Sequence, residues 1–174
     1  MMKKFFMSVL MLGLIAGLIA GCGESDIQKV EGDDSKQEKA EKKQETLKIG
    51  EAVKFDGLKV KLTGVREYKG DQFIKPQNDK FVLIQLEIEN TTDKPQTVSS
   101  LLQMNLVDAE GQSQDVAITG NEKGKLDGEL GAGRKMKGEV AFDVMKSDKY
   151  EFIFDNPFTT GQAIWEIKSK DIKK

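Results

Sequence analysis

Short runs of alternating hydrophobic and polar residues, separated by Gly, Asp and Asn, dominate the sequence after Thr46. Successive side chains on a strand point to opposite faces, so this alternation predicts strands with one buried and one solvated face. Helical spacing is confined to one short turn at most. The apolar positions of the runs are Leu58, Val60 and Leu62; Val82, Ile84, Leu86 and Ile88; Leu102, Met104 and Leu106; Val116 and Ile118; Val140, Phe142 and Val144; Tyr150, Phe152 and Phe154; and Ala163, Trp165 and Ile167.

The number and spacing of these runs predict one all-β domain over residues 47–174. About seven to eight strands over this length are typical of a sandwich or a barrel. We favour an antiparallel β-sandwich, because two sheets of this size bury about two-thirds of the unfolded surface without a disulfide. The aromatic residues Phe142, Phe152, Phe154 and Trp165 are then expected in the core rather than against a ligand.

The first 21 residues follow a different pattern, that of an export signal. Lys3 and Lys4 precede an apolar run from Phe5 to Ala20, and small residues lead to Cys22. The run is shorter than the roughly 20 apolar residues of a bilayer span, and no stop-transfer flank follows it. We therefore expect residues 1–21 to be a cleaved signal peptide. The alternative is a transmembrane helix that ends in an ordinary thiol.

The segment Ile19–Cys22 resembles the lipobox of bacterial lipoproteins, in which an aliphatic residue and two small ones precede a cysteine. The resemblance implies a covalent diacylglyceryl group on Cys22 and a location on the outer face of the cytoplasmic membrane. Each buried CH₂ of an acyl chain contributes about 0.8 kcal/mol, so two or three chains anchor a protein stably. No other cofactor is expected.

Residues 22–46 join the expected anchor to the domain. Eight acidic and five basic residues lie between Gly23 and Thr46, and the sizeable apolar side chains are Ile27 and Val30. So little apolar surface cannot offset the entropy of ordering, which predicts a disordered, charged tether. A charge-patterned docking segment is the alternative to a simple spacer.

Several longer motifs, taken in their order, resemble a known family. They are Ile49–Glu51, Lys80–Thr91 (KFVLIQLEIENT), Leu106–Gly111 (LVDAEG), Leu130–Phe142 (LGAGRKMKGEVAF) and a closing Trp165. Residues 47–169 thus resemble the immunoglobulin-like domain of unknown function of Gram-positive lipoproteins, similar in fold to a secreted mycobacterial immunogenic antigen. The resemblance implies an extracellular immunoglobulin-like sandwich without a catalytic motif. Asp143 follows Phe142 where family members often have proline soon after.

Charge and composition narrow the function classes. The chain has 27 basic and 29 acidic residues, and loss of Lys3 and Lys4 with the signal makes the mature chain more acidic still. Nucleic-acid binding needs a clustered basic face, so no nucleic-acid partner is expected. The chain lacks histidine and has one cysteine, which removes an imidazole base, a disulfide and a structural zinc site. We therefore expect no enzyme.

Four groups of residues resemble parts of known functional motifs. Gly131–Gly133 and Gly124–Lys125 imitate phosphate loops, but no helix or magnesium-binding hydroxyl follows them, so both are expected to be turns. Asp108, Glu110 and Asp115 surround one turn and offer oxygens that suit calcium, although a solvated turn is the preferred interpretation. Glu87 and Glu89 share a strand face, which fits a charged surface better than a hydrolase cleft.

The sequence therefore favours a membrane-anchored, non-catalytic binding or structural module. Its partner beyond the membrane lipid would be a cell-wall component, another envelope protein or a small ligand. The alternatives are a carboxylate-dependent envelope hydrolase and an accessory subunit of an exported enzyme. The candidate interaction loop contains Tyr68, Phe73, Ile74 and Pro76, because apolar groups exposed in a long loop mark interfaces. The opposing interpretation is that these side chains cover one end of the sandwich.

Overall fold

The computed structural model describes residues 27–29 and 46–174, and most of these residues lie in β-strands. The helical segments are α1 (Ser100–Gln103) and a 3₁₀ turn at Ser169–Asp171. Within the described ranges, neither helix has the length or apolarity to cross a bilayer. The strands are β1 (Ile27–Lys29), β2 (Leu47–Lys48), β3 (Ala52–Phe55), β4 (Leu58–Tyr68), β5 (Lys80–Asn90), β6 (Gln96–Val98), β7 (Met104–Asp108), β8 (Asp115–Ala117), β9 (Gly128–Leu130), β10 (Lys135–Val144), β11 (Lys149–Asp155) and β12 (Gln162–Lys168).

The strands form two large sheets and a small ribbon. The first sheet has the order β1-β3-β4-β5-β10-β8, and all its neighbours are antiparallel. The second has the order β2-β12-β11-β7, in which only the short β2 runs parallel to its neighbour. Strands β6 and β9 make the two-stranded ribbon. Along the chain, β6 follows β5 and β9 precedes β10, so the ribbon joins the segment after β5 to the segment before β10.

Aromatic side chains from both large sheets pack together in the core. Phe55 of β3 meets Phe154 of β11 edge to face, with 6.0 Å between ring centroids. Phe142 of β10 meets Phe152 of β11 at 6.5 Å, and Trp165 lies 5.8 Å from Phe152. All five side chains are fully buried, and full burial of such a side chain contributes about 1.5–3 kcal/mol. The predicted all-β sandwich and the predicted aromatic core are confirmed.

The strands differ from the predicted set mainly in the short elements. Seven have four residues or more, which agrees with the predicted seven to eight, and the others have two or three. Leu102 lies in α1 rather than in a strand. The run predicted at Val116 and Ile118 is only partly a strand. Val116 pairs with Phe142 of β10 in the first sheet, whereas Ile118 follows β8 and is 90% exposed. An alternating pattern cannot show which free sheet edge a strand joins.

Strand β1 lies inside the range predicted to be a disordered tether. It pairs antiparallel with β3, in the register Ile27 to Phe55 and Lys29 to Val53. The prediction of disorder is therefore wrong for these three residues. It was based on the scarcity of apolar side chains, whereas the pairing of β1 with β3 is made by backbone groups. The signal peptide, Cys22 and the rest of the predicted tether before Thr46 lie outside the described residues.

The two ends of the sandwich carry different loops. We call the groove end the one that carries the β3–β4 turn, α1 and residues 156–161 between β11 and β12. The far end carries residues 69–79, 109–114 and 145–148. Strand β5 runs from the far end to the groove end, and β10 runs back antiparallel to it.

Candidate functional site

A groove with a volume of about 320 Å³ opens at the groove end. Its floor is formed by Phe55, Leu58 and Phe154, which belong to both large sheets and are buried. The floor is apolar because strand residues that face the core continue to the last position before each turn. The other lining residues come from the surrounding loops and are Asp56, Pro95, Gln96, Thr97, Ser99, Leu102, Gln103, Asn156, Pro157 and Phe158.

Side-chain hydrogen bonds join the β3–β4 turn to the β11–β12 loop across one wall of the groove. The Asn156 amide donates to the Asp56 carboxylate, and the Thr159 hydroxyl lies 3.4 Å from the same oxygen. Asp56 has a left-handed backbone, with φ of 52°, which aspartate tolerates better than most residues. Asp56 is the acidic residue that lines this groove, whereas a two-carboxylate hydrolase needs a second acid facing the first.

Three large apolar side chains at the groove end are exposed to solvent. Phe158 is 89% exposed, and its N–H donates to the Asn156 side-chain oxygen at 3.0 Å. Leu101 and Leu102 of α1 are 74% and 62% exposed. Phe158 and Leu102 line the same groove, and Leu101 adjoins Leu102 in the chain. The loops thus present an apolar rim around a groove with an apolar floor.

Hydrogen bonds hold α1 in place beneath these leucines. The backbone N–H and hydroxyl of Ser100 donate to Asp127 at 2.8 and 3.0 Å. The Gln103 side-chain oxygen accepts the N–H of Ser99 at 2.8 Å. The exposed leucines are therefore carried by an anchored turn rather than by free chain.

The predicted interaction loop lies at the far end, and most of it packs on the sandwich. Tyr68 stacks on Phe81 with 6.0 Å between ring centroids. Ile74 is half-buried against a second apolar cluster on the outer face of the first sheet, and Pro76 is also half-buried. Phe73 alone of the four predicted residues is largely exposed, at 84%. A partner for these residues stays a prediction.

Two carboxylates shape that loop. Asp71 accepts the N–H groups of Phe73 and Ile74 at 2.7 and 2.8 Å, and these bonds hold its pKa below the ordinary value. The buried Asp143 accepts the N–H groups of Gln77 and Asn78 at 2.6 and 3.0 Å. Asp143 is one of the positions where the sequence departs from the family pattern, and here it fastens the loop to β10.

The acidic turn considered for calcium uses its central carboxylate internally. Asp108 accepts the N–H groups of Glu110 and Gln112 at 3.0 and 2.8 Å, and the Gln114 amide at 3.3 Å. Asp115 is exposed on β8. Within residues 27–29 and 46–174, no three acidic, histidine or cysteine side chains are grouped as metal ligands. The oxygens of Asp108 stabilise the turn.

A buried ion pair on the outer face of the first sheet has no counterpart in the sequence predictions. Arg66 of β4 donates two hydrogen bonds to Glu139 of β10, at 3.1 and 2.7 Å. The Gln85 amide and the Lys123 N–H also donate to Glu139, at 2.9 and 3.0 Å. Burial acts to raise the pKa of Glu139, but these hydrogen bonds outweigh it and lower the pKa.

The same contacts hold residues 118–127 against β10. Arg66 donates to the side-chain and backbone oxygens of Asn121 at 3.0 and 2.8 Å. Gly124 crosses close to β10, where a Cβ would overlap the Lys137 carbonyl oxygen, and its φ of 74° also favours glycine. The Gly124–Lys125 pair that imitates a nucleotide loop therefore serves a close approach of two backbones.

The paired glutamates considered for hydrolysis lie on this outer face among lysines. Glu87 is 2.8 Å from the Lys137 ammonium, and Lys135 is 3.2 Å from Glu89. The hydrogen bond from Lys137 lowers the pKa of Glu87. These groups form a ladder of surface ion pairs along β5 and β10.

Residues 47–164 match a family described as "Domain of unknown function (DUF4352)". None of the curated proteins matches the sequence. Three solved structures share the fold. The candidate lipoprotein ycdA from Bacillus subtilis has a TM-score of 0.56 and 18% identity, and the match covers 75% of this chain and 40% of that one. The yjhA protein from the same organism has a TM-score of 0.56 and 18% identity, and the match covers 71% of this chain and 100% of that one. An uncharacterized β-sandwich protein from Clostridium difficile 630 has a TM-score of 0.51 and 15% identity, and the match covers 76% of this chain and 100% of that one.

These identities establish the β-sandwich fold and nothing about activity. The chain spans 40% of the length of ycdA but all of the other two structures. The family match covers well over half of the chain, from β2 into β12. This protein therefore belongs to the DUF4352 family of domains of unknown function.

Proposed function

We propose that this protein is an exported lipoprotein, anchored through a lipidated Cys22 on the outer face of the cytoplasmic membrane of a Gram-positive cell. Its sandwich is a non-catalytic binding module. The lipobox at Ile19–Cys22 supports the anchor, and the fold shared with a candidate lipoprotein of Bacillus subtilis agrees with it. The groove at the end of the sandwich is the observation that carries the binding role.

The groove has the properties of a site for a ligand with an apolar part. Its volume of about 320 Å³ lies at the lower end of the range of small-molecule sites, about 300–1,000 Å³. Phe55, Leu58 and Phe154 supply the apolar floor, while Gln96 and Gln103 offer amide groups at the wall. Such sites take their affinity from the apolar floor and their orientation from a few polar groups.

The anchor is tested by comparing the wild-type protein with a Cys22→Ser variant in a Gram-positive host. We expect the wild type in the membrane fraction, labelled by radioactive palmitate and accessible to protease added to intact cells. The variant should lose the label and the accessible membrane-bound form. A Cys22→Ser protein that stays on the membrane as the wild type does, with export intact, would contradict the anchor.

The groove is tested by nuclear magnetic resonance on the exported, unlipidated Cys22→Ser protein. The two probes are purified muropeptides and a monomeric short-chain phosphatidylcholine, which represent wall and lipid sources. We expect one probe to shift the amide signals of Gln96, Thr97 and Gln103. A Leu102→Arg variant should lose these shifts, whereas Phe73→Arg at the far end should keep them. Shifts from neither probe, or shifts unaffected by Leu102→Arg, would overturn the groove assignment.

A further inference from the structure

We infer that the groove end of the sandwich rests on the lipid surface, with Leu101, Leu102 and Phe158 inserted at the interface. The inference rests on the proposed anchor at Cys22 and adds to it the orientation of the domain and the face that meets the bilayer. The occupant of this apolar rim is the membrane itself.

The direction of β1 decides at which end the anchor leaves the domain. Strand β1 is antiparallel to β3, and Ile27 pairs with Phe55, the last residue of β3. Phe55 lines the groove and precedes the turn at Asp56. The chain that leads from Ile27 back toward Cys22 therefore departs from the groove end.

The number of residues before β1 limits how far the domain can stand from the anchor. Cys22 precedes Ile27 by five positions, which span at most about 16–18 Å when fully extended. The eleven residues of β5 separate the two ends of the sandwich by roughly 33 Å. An upright domain with its far end against the membrane would need a longer connection. The groove end consequently faces the bilayer.

The exposed side chains at this end suit a lipid interface. Leu101, Leu102 and Phe158 are each more than half exposed, and they come from two separate segments around one groove. Single exposed apolar residues are ordinary on protein surfaces, but a cluster marks a site of contact. Interfacial segments bury such side chains about 5–10 Å into the boundary between headgroups and acyl chains.

The charges at this end favour apolar insertion over attraction to anionic lipids. Asp56 is the one charged residue on the segments that define the groove end, and the neighbouring residues 91–95, 127–134 and 155 carry four acidic and two basic side chains, so anionic headgroups would not be attracted. The charged residues on these segments are Asp56, Asp93, Lys94, Asp127, Glu129, Arg134 and Asp155. The anchor supplies the missing affinity, because it makes the contact intramolecular and raises the effective concentration of the rim at the membrane.

The test uses the lipidated mature protein in phosphatidylcholine vesicles that contain brominated acyl chains, which quench tryptophan. A Phe158→Trp variant carries the probe at the groove end, and Phe73→Trp is the matched control, since Phe158 and Phe73 are 89% and 84% exposed. The wild type supplies the signal of the buried Trp165. We expect the added emission of F158W to be quenched at least about twofold more than that of F73W, with little dependence on added salt.

The outcomes separate the orientation from the anchor. Protein that does not float with the vesicles, although its N-terminus is lipidated, would contradict the proposed anchor. Protein that floats but shows equal quenching of F158W and F73W would overturn the orientation alone. The orientation would also be overturned if a bound protein or small molecule, rather than lipid, covered the rim and left F158W unquenched. A Leu101→Trp variant gives a second probe on α1 and should follow F158W.

Discussion

Glu139 shows how one carboxylate at the residue scale joins three parts of the chain. Its two oxygens receive hydrogen bonds from Arg66, Gln85 and the backbone of Lys123. The Glu139 side chain is 3% exposed and that of Arg66 18%, so water screens the pair only weakly. Removing the carboxylate charge would leave Arg66 without its ion-pair partner, with the neutral oxygens of Asn121 as its remaining acceptors.

We expect Glu139→Gln to lower the free energy of unfolding by about 2–3 kcal/mol at pH 7, because breaking a buried pair strands the remaining charge. Glu87→Gln is the matched control, since its partner Lys137 is 73% exposed, and should cost less than about 1 kcal/mol. Urea denaturation measures both. Equal costs for the two variants would contradict the buried role of Glu139.

The same pair predicts a pH dependence. Because the pKa of Glu139 is lowered in the folded protein, its contribution is complete above the ordinary value of 4.5 and is lost as pH falls through the folded value. The difference in stability between wild type and Glu139→Gln should therefore be constant near neutral pH and shrink below pH 4.5. A difference that grows on acidification would have the wrong sign for this mechanism.

Burial of single residues was predictable from the sequence where it follows alternation. Phe142, Phe152, Phe154 and Trp165 lie at inward positions of regular strands, and all are buried. Glu139 also alternates, but its partner Arg66 is 73 positions away along the chain. A contact between distant strands depends on sheet order, which no local pattern carries.

At the scale of elements, the loop between β4 and β5 combines packed and exposed side chains. Ile74 contacts the cluster of Phe81, Leu83 and Ala141, whereas Phe73 points into solvent. We expect Ile74→Ser to lower the free energy of unfolding by about 1–2 kcal/mol, because it removes half-buried apolar surface.

Phe73→Ser is the control for that variant and should change stability by less than about 0.5 kcal/mol. Thermal unfolding of the two proteins provides the comparison. If Ile74→Ser were as neutral as Phe73→Ser, the loop would be a free interaction surface rather than a cover of the first sheet.

The long strands could be predicted from the sequence, whereas the short strands could not. Strands β4, β5, β10, β11 and β12 each repeat the alternation several times, so their existence was clear. A strand of two or three residues is too short to show a repeated alternation of apolar and polar side chains. Such strands form because a neighbouring strand provides backbone hydrogen-bond partners. The groove was missed for the same reason, since its walls come from short segments that only the tertiary fold brings together.

At the scale of the whole molecule, the pairing of β1 with β3 means that the residues before β1 set the distance between the anchor and the groove end. The residues between β1 and β2 do not contribute to that distance. An insertion of about ten Gly and Ser residues between Ser25 and Asp26 should lengthen the link from the anchor to the groove end. We expect this insertion to reduce lipid quenching of the F158W variant, because the rim is held less closely to the bilayer.

The same insertion between Lys36 and Gln37 is the matched control. It lies between β1 and β2, outside the link from Cys22 to Ile27, and should leave the quenching unchanged. Equal effects of the two insertions would show that β1 does not hold the chain against β3. The sandwich was predictable from the alternation of apolar and polar residues, whereas the export address stays a prediction. The direction of β1 was not predictable, because it depends on backbone pairing inside a polar segment.

The most direct test of the account is intact mass spectrometry of the mature protein extracted from the membranes of its native host. We predict a polypeptide that begins at Cys22 and carries at least a diacylglyceryl group on that residue. An exported chain that begins elsewhere, or one that begins at Cys22 without lipid, would contradict the account.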